Sequence, residues 1–292
     1  MGSVRAAVER ARAERGAALM GVVNVTPNSF YDGGRYLEPD AACRRVDELI
    51  EEGASLVDIG GESSRPGAGP VAPEEQVARI RDVVRHALDR KAALVSVDTT
   101  SALVADRMLA LGAHIINDVS CLADPELAGV VARYRATLIL MHSRGRMDTM
   151  PGFSEYPERA YGDVVNDVLG EWRQARERAV LAGVDRESIW LDPGLGFHKS
   201  ANHSWELLRR LTELRSERVP VVIGPSRKSF IASVDRSPPE GRMGGTIAAC
   251  LIAVERGASV LRVHDVREVR QALAVARVAS RSADAAGVTD HV

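Results

Sequence analysis

The sequence predicts an α/β fold: a single (β/α)8 TIM barrel with long first and second βα loops. First, short apolar runs that end near a polar residue recur eight times between amphipathic stretches. Their mean spacing of about 34 residues suffices for one strand, one helix and two loops. Second, a glycine followed by alanine or valine ends four of the helical stretches, as expected of C-terminal caps. Third, no G-x-G-x-x-G string follows the first run, which disfavours a Rossmann-like sheet.

The predicted strands are continuous apolar runs, as expected for parallel strands buried on both faces. In chain order they cover residues 19–25, 55–59, 93–97, 114–116, 137–141, 188–191, 219–223 and 259–263. Amphipathic periodicity predicts helices over residues 41–52, 73–88, 102–111, 161–181, 202–214, 245–256 and 266–278. The interval between the fourth and fifth strands is short, and its helical pattern is the weakest.

The two long βα loops cover residues 25–36 and 60–72, and both are rich in glycine, proline and small polar residues. Such loops beside a barrel mouth can close over a ligand. We expect residues 1–17 to form an N-terminal extension, helical or frayed, residues 18–283 to form the barrel, and residues 284–292 to form a C-terminal tail.

Composition excludes several classes of protein. The 38 basic and 40 acidic residues give a net charge of −2, and aromatic residues make up only 4%, which argues against nucleic-acid binding. No apolar stretch is long enough to span a membrane, and no secretory signal precedes the first strand. The three cysteines are scattered, so we expect free thiols in a reducing cytoplasm rather than disulfides.

Polar residues stand at the carboxyl ends of the predicted strands, where the active sites of such barrels lie. They are Asn24, Asp58, Asp98, Asn117, His142, Asp192, Ser226 and His264. Any one of them could instead cap a helix, and Asp98 before Thr99 is the strongest case for that alternative. A set of eight at corresponding positions favours a functional site.

Cations and acceptors are expected on opposite sides of this mouth. Lys228, Arg262 and His264 lie near strands 7 and 8, where such barrels often bind phosphate, so we interpret them as an anion site. The alternative is surface ion pairing with Asp265 or Glu268. Across the mouth, four acceptors suit a ligand with amide-like donors, such as a pteridine or purine edge, and Phe197 offers a flat wall. These acceptors are Asp98, Asn117, Asp118 and Asp192.

A metal centre made wholly of protein ligands is not expected, because the first strand lacks a His-x-His pair. A Mg²⁺ ion held mainly by the phosphates of a substrate remains open, since Mg²⁺ needs few protein ligands. Asn24 and Asp32 are the residues that could contact it.

Several strings, in the same order and spacing, resemble the dihydropteroate synthases, a family of pterin-binding (β/α)8 barrels. They include MGVVNVTP from residue 20, VDIGGESSRPG from residue 57, DPGLGF from residue 192, SRKSF from residue 226 and RVHDV from residue 262. Shorter matches are SVDT from residue 96, INDVS from residue 116 and Met141-His142. The resemblance covers roughly residues 18–280. Asn28 departs from it, because the family usually has aspartate there.

The resemblance implies an enzyme of tetrahydrofolate biosynthesis that joins p-aminobenzoate to 6-hydroxymethyl-7,8-dihydropterin pyrophosphate and releases pyrophosphate. It implies Mg²⁺ as cofactor, sulfonamides as competitive inhibitors and a homodimer. No nucleic-acid or membrane partner is expected.

The same resemblance implies the roles of the site residues. Pterin binding falls to Asp98, Asn117, Asp192, Lys228, Met141, Phe197 and Gly224. Pyrophosphate binding falls to Asn24, Ser64, Arg65, Arg262 and His264, with Asn24 also contacting Mg²⁺. p-Aminobenzoate binding falls to Ser64, Arg65, Pro66, Phe30, Phe197, Ser226, Arg227 and Lys228. The residues expected to act directly in catalysis are Asn24, Lys228, Arg262 and His264.

Two other functions stay open on the sequence. A methyltetrahydrofolate:corrinoid methyltransferase is also a pterin-binding barrel, but it needs no pyrophosphate site, so Lys228, Arg262 and His264 argue against it. A non-catalytic pterin-binding paralogue is disfavoured because both long loops and the cations are present.

Overall fold

The computed structural model describes residues 4–26, 39–63, 69–145 and 150–280. The strands are β1 Ala18–Asn24, β2 Leu56–Gly60, β3 Leu94–Asp98, β4 Ile115–Asp118, β5 Thr137–Met141, β6 Ile189–Asp192, β7 Val222–Ile223 and β8 Val260–Val263. The helices are α1 Val4–Arg15, α2 Pro39–Glu52, α3 Pro73–Arg90, α4 Ala102–Leu111, α5 Leu127–Tyr134, α6 Val164–Leu181, α7 Ala201–Arg209, α8 Leu211–Leu214, α9 Ser229–Asp235, α10 Met243–Glu255 and α11 Val266–Ala279.

The strands form one parallel sheet that closes on itself, which confirms the predicted barrel. Their order is β6-β5-β4-β3-β2-β1-β8-β7. The two outer strands meet through a parallel bridge between Leu191 and Val221, and the Leu191 amide donates to the Pro220 carbonyl over 3.1 Å. Closure brings the carboxyl ends of all eight strands around one opening.

Side chains that face the barrel interior change character along the barrel axis. Toward the amino ends of the strands they form an apolar cluster that includes Met20, Leu56, Ile139 and Trp190. Two residues further along, the same face carries polar groups on several strands, such as Asp58, Asp192 and Arg262, although β1 has Val22 and β5 has Met141 there. The period-2 alternation of strands thus separates an apolar floor from a polar mouth.

Helix α1 covers the floor of the barrel. Val8 is 1% exposed and packs in the interior cluster with Met20 and Val260 from the strands. The N-terminal segment therefore contributes to the barrel core, although the sequence analysis assigns it to a separate extension. The domain boundaries themselves stay a prediction.

The outer layer of helices follows the sequence closely. Helix α4 begins after Ser101, whose side chain accepts from the Val104 amide, and it ends at Gly112 with φ of +113°. Ser101 therefore supplies the cap, and the alternative role of Asp98 as a capping residue is not needed. No helix in the described ranges is long and apolar enough to cross a membrane.

The structure adds features that the pattern analysis does not contain. The fourth βα unit does have a helix, α5, although its periodicity is weak. Strand β7 has only 2 residues, and a short loop leads from it to an additional helix, α9. The connection from β5 to α6, between residues 141 and 164, is longer than either predicted long loop, and its Met150 and Phe153 pack with Met141 and Phe197.

Candidate active site

The barrel mouth brings together most of the residues that the sequence singles out. The inward-facing positions at the carboxyl ends of the strands are Asn24, Gly60, Asp98, Asn117, Met141, Asp192, Gly224, Arg262 and His264. Parallel pairing places Asp98 beside Asn117 and Gly60 beside Asp98. The predicted acceptors and cations therefore share one site.

Arg262 lies between two carboxylates at the centre of this mouth. Its Nε donates to Asp58 Oδ2 over 2.7 Å, and its Nη2 donates to Asp98 Oδ2 over 2.8 Å. These two carboxyl partners offset the desolvation cost of a guanidinium whose side chain is only 21% exposed. The Nη1 group makes no hydrogen bond to any other residue in the described part of the chain, so its N–H groups are available to a ligand.

The two acidic residues of the predicted pterin pocket resist ionisation. Burial raises the pKa of Asp98 to about 7, although the Arg262 cation acts to lower it. Burial also raises the pKa of Asp192, against the lowering effects of Lys228 and of the Gly194 amide. The Gly194 amide donates to Asp192 Oδ1 over 2.7 Å. Both carboxyls are thus placed to exchange hydrogen bonds with a ligand that enters the mouth.

Asp118 does not belong to this group, contrary to the sequence analysis. It follows Asn117 on β4, so its side chain faces away from the barrel interior. Asp118 accepts from the amides of Ser120 and Leu122 over 3.0 and 2.7 Å and is fully buried. It therefore shapes the turn after β4.

Lys228 and Phe197 form one wall of the mouth. The Lys228 Nζ donates to the Leu195 carbonyl over 2.6 Å and lies 4.4 Å from the centre of the Phe197 ring. Phe197 in turn meets Phe153 edge-on at 5.1 Å, and Met141 belongs to the same apolar cluster. Burial lowers the pKa of Lys228 to about 8, although Asp192 acts to raise it. The wall therefore combines a flat ring with a cation that titrates near neutral pH.

At the rim of the mouth, the predicted cations His264 and Arg227 have different partners. Ser226 Oγ lies 3.0 Å from His264 Nδ1. Arg227 makes a two-point ion pair with Asp265, at 2.9 and 2.7 Å, so the surface pairing considered in the sequence analysis applies to this arginine. Part of His264 is exposed to solvent, but the protein packed around its ring lowers its pKa, and the neighbouring Arg262 cation acts in the same direction.

Beneath the mouth lies a chain of polar groups in which the sequence analysis singles out only His142, and not Lys199, Glu171 or Arg144. Lys199 is fully buried, and its Nζ donates to the carbonyl of Phe197 over 3.0 Å and lies 3.0 Å from His142 Nδ1. His142 Nε2 lies 2.9 Å from Glu171, which Arg144 also contacts. Burial lowers the pKa of Lys199 to about 7. Lys199 follows the DPGLGF string by two residues, but local sequence does not show that the side chain turns inward.

Part of the predicted site lies outside the described residues. This applies to Phe30, Ser64, Arg65 and Pro66, to which the sequence analysis assigns p-aminobenzoate or pyrophosphate binding. It also applies to Asn28 and Asp32 of the first loop. Their roles stay predictions.

The residues present fit a Mg²⁺ ion held mostly by a substrate. No group of three or more potential ligands among histidine, cysteine, aspartate and glutamate occurs within the described residues. Asn24 ends β1 on the inward face, is partly exposed, and makes no side-chain hydrogen bond to another described residue. Its amide oxygen can therefore serve as one protein ligand, which agrees with the modest requirement of Mg²⁺.

Comparison with known proteins assigns the class that this mouth defines. Residues 20–264 match the family of pterin binding enzymes, and the chain belongs to that family. A dihydropteroate synthase of Mycobacterium leprae (strain TN) is 44% identical over 264 residues, covering 88% of this chain and 91% of that protein. A dihydropteroate synthase of Bacillus subtilis (strain 168) is 39% identical over 252 residues, covering 86% and 84%. Within the pterin-binding enzymes, the chain therefore belongs to the dihydropteroate synthases, which are transferases of folate synthesis.

Solved structures of the same family agree with the fold. Dihydropteroate synthase of Xanthomonas albilineans with 4-aminobenzoic acid gives a TM-score of 0.83 at 40% identity, covering 91% of this chain and 94% of that one. The same enzyme in complex with 7,8-dihydropteroate gives 0.80 at 38%, with the same coverage. A Yersinia pestis dihydropteroate synthase in a sulfonamide drug complex gives 0.82 at 36%, covering 90% and 93%.

Proposed function

We propose that this chain joins p-aminobenzoate to 6-hydroxymethyl-7,8-dihydropterin pyrophosphate, forming 7,8-dihydropteroate and pyrophosphate. The observation that carries the proposal is a mouth in which acceptors and cations lie side by side, not on opposite sides as the sequence analysis expects. Asn117 and Asp192 are buried, and Asp98 is partly buried. Arg262 donates to Asp98 over 2.8 Å, and the Lys228 cation lies near enough to Asp192 to lower the pKa of that carboxyl. This arrangement matches a substrate that joins a donor-rich heterocycle to a pyrophosphate.

The reaction requires no covalent intermediate with the enzyme. As the bond from the pterin methylene carbon to the pyrophosphate oxygen breaks, the electron-rich ring stabilises the positive charge on that carbon. The amine of p-aminobenzoate then donates its lone pair to form the new C–N bond, and its proton passes to solvent. The protein must therefore hold the departing negative charge and orient a weak nucleophile.

The cations and the acceptors of the mouth have different parts in this SN1-like substitution. The free N–H groups of Arg262 Nη1 point to a role in holding the pyrophosphate, with His264 and Asn24 as further contacts at the mouth. Asp192 and Asn117 accept from the pterin, and Lys228 with Phe197 forms the wall along which the aminobenzoate ring packs. Ser226, in the loop before α9, is a further described polar group at the aminobenzoate end.

Mg²⁺ is part of the proposal as a cation bound with the substrate. Asn24, and Asp32 from the first loop, would hold it together with the pyrophosphate. When bound, it would neutralise negative charge on the leaving group.

We further propose a cytoplasmic homodimer that sulfonamides inhibit by competing with p-aminobenzoate. The sulfonamide complex of the Yersinia pestis relative supports inhibition.

The three thiols, Cys43, Cys121 and Cys250, are free, which suits a reducing compartment. Val275 and Val278 on α11 are 64% and 72% exposed, which supports burial of this helix against a second copy. Light scattering in solution tests the dimer.

A coupled assay of pyrophosphate release, with and without p-aminobenzoate, tests the reaction. We expect release that depends on p-aminobenzoate and matches dihydropteroate formed. A corrinoid methyltransferase would release no pyrophosphate, and a non-catalytic paralogue would bind pterin without turnover. Either result would refute the proposal.

The Arg262→Ala variant tests the role of the central cation. Loss of this electrostatic contact to the leaving group is expected to lower kcat/KM by more than about 100-fold. Arg209→Ala, which removes an exposed arginine of α7, is the matched control and should leave kcat/KM unchanged. Near-normal turnover of Arg262→Ala would remove this residue from the mechanism.

A further inference from the structure

Asp58 connects three strands of the mouth through its carboxylate, yet it belongs to none of the ligand-binding sets predicted from the sequence. It is fully buried on β2. Its Oδ1 accepts from Ser96 Oγ on β3 over 2.6 Å. Its Oδ2 accepts from Asn117 Nδ2 on β4 over 3.0 Å and from Arg262 Nε on β8 over 2.7 Å. Because the surrounding groups occupy both oxygens, Asp58 acts on the site through its neighbours.

The contacts of Asp58 determine which way the Asn117 amide faces. A guanidinium nitrogen can only donate, so the shared Oδ2 of Asp58 must be an acceptor. The Asn117 atom that meets the same oxygen must then be the NH2 group, because an amide oxygen there would face another oxygen. The amide oxygen of Asn117 is therefore turned away from Asp58.

That amide oxygen has no partner within the described residues. Asn117 is 2% exposed, and its Oδ1 is buried without a hydrogen bond. Buried acceptors are nearly always paired, so an orphan on the inward face of the mouth indicates a ligand that brings a donor. If the amide were free to rotate, this position could serve a donor or an acceptor equally well.

We infer that Asp58 is a positioning residue: it locks Asn117 as an acceptor for an N–H group of the pterin and aims Arg262 at the leaving group. The inference rests on the proposed function and adds a requirement for a donor-bearing ring at Asn117. A single carboxylate thus couples recognition of the heterocycle to the placement of the cation.

Two single substitutions and an exchange between positions 58 and 117 test the inference. In Asp58→Ala, the Asn117 amide loses the acceptor that fixes its orientation, so the KM for the pterin pyrophosphate should rise at least about tenfold. The KM for p-aminobenzoate should stay within about twofold, because its predicted contacts do not touch Asp58. In Asn117→Asp, two adjacent carboxylates should also weaken pterin binding at least about tenfold.

The exchanged variant, Asp58→Asn with Asn117→Asp, provides the decisive comparison. The amide introduced at position 58 could donate there to the carboxylate introduced at position 117. The second oxygen of that carboxylate would still accept from the ligand. We expect the pterin KM of the exchanged variant to be at least about tenfold lower than that of Asn117→Asp. Its kcat should stay below wild type, because Arg262 loses one ion pair. A merely structural role for Asp58 predicts no such rescue.

Ser96→Ala is the matched control, because it removes one donor to Asp58 without touching Asn117 or Arg262. Its pterin KM should change by less than about threefold. Thermal unfolding checks that each variant is folded. If Asp58→Ala fails to fold, comparison of Asn117→Asp with the exchanged variant still decides the matter.

Two outcomes overturn the inference: an unchanged pterin KM in Asp58→Ala, or an exchanged variant no better than Asn117→Asp. If wild type forms no dihydropteroate, the proposed function fails instead. Calorimetric binding of the pterin pyrophosphate to the same variants then tests the role of Asp58 on its own.

Discussion

At the scale of the residue, charge and hydrogen bonding in the mouth depend on burial more than on residue type. Asp98 and Lys228 both titrate near neutral pH because burial disfavours their charged forms, even with opposite charges nearby. The sequence predicted that Asp98, Asn117, Asp192 and Arg262 would meet at one end of a barrel, since they stand at strand ends. It could not show that Arg262 pairs with Asp58, because those residues are 204 positions apart.

The titration of Lys228 predicts a pH limit on activity. Its pKa is lowered to about 8, so the cation is present below that pH and is lost as the pH rises through it. We expect kcat/KM to fall about 16-fold from pH 8 to pH 9.5 if catalysis requires the charged form. Arginine stays protonated, so the alkaline decline should disappear in Lys228→Arg. A decline that persists in the variant would assign it to another group.

At the scale of the element, the loops after the strands carry the site, and their backbones are tightly constrained. The loop after β6 turns at Gly194, where φ is +69° and a Cβ atom would lie 2.2 Å from the His142 carbonyl oxygen. The same loop is held below by Lys199, which donates to the Phe197 carbonyl. The sequence predicted the flexible glycines of this loop, but the contact with β5 that restricts them requires the folded chain.

Gly194→Ala is expected to destabilise the protein by at least about 2 kcal/mol, because it adds a backbone clash to an unfavourable φ. Displacement of Phe197 should also raise the KM for p-aminobenzoate. Gly170→Ala in α6 is the matched control. A Cβ atom there meets nothing within 4 Å, so the change should stabilise the helix by about 0.5–1 kcal/mol. Urea unfolding measures the free energy of unfolding of both variants. An equal change in Gly194→Ala and Gly170→Ala would contradict this expectation.

At the scale of the whole molecule, the barrel separates a floor that stabilises it from a mouth that binds ligand. Helix α1 packs Val8 against the apolar interior at one end, and the polar groups converge at the other. The strand and helix order agreed with the sequence to within a few residues for most elements. Helix α1 was foreseen only as an extension, because its packing partners lie on strands at both ends of the chain.

Because the floor and the mouth lie at opposite ends of the barrel, we expect a mutation in the floor to change stability without changing activity. Val8→Asp buries an unpaired charge in the floor and should lower the free energy of unfolding by at least about 3 kcal/mol. Ala13→Asp places the same charge on an exposed position of α1 and should change it by less than about 0.5 kcal/mol. At a temperature where both variants are folded, we expect kcat/KM within about twofold of wild type. A large loss of activity in folded Val8→Asp would show that floor and mouth are coupled.

The sequence by itself determined the number and order of the βα units, the end of the barrel that carries the chemistry, and the residue types that gather there. Periodicity and strand-end position are local properties, so the chain records them directly. Only the tertiary structure decided the partners: Arg262 with Asp58 and Asp98, Arg227 with Asp265, and Lys199 beneath the mouth. Those pairings depend on strand register and barrel closure, which bring distant residues within hydrogen-bonding distance and which no local pattern specifies.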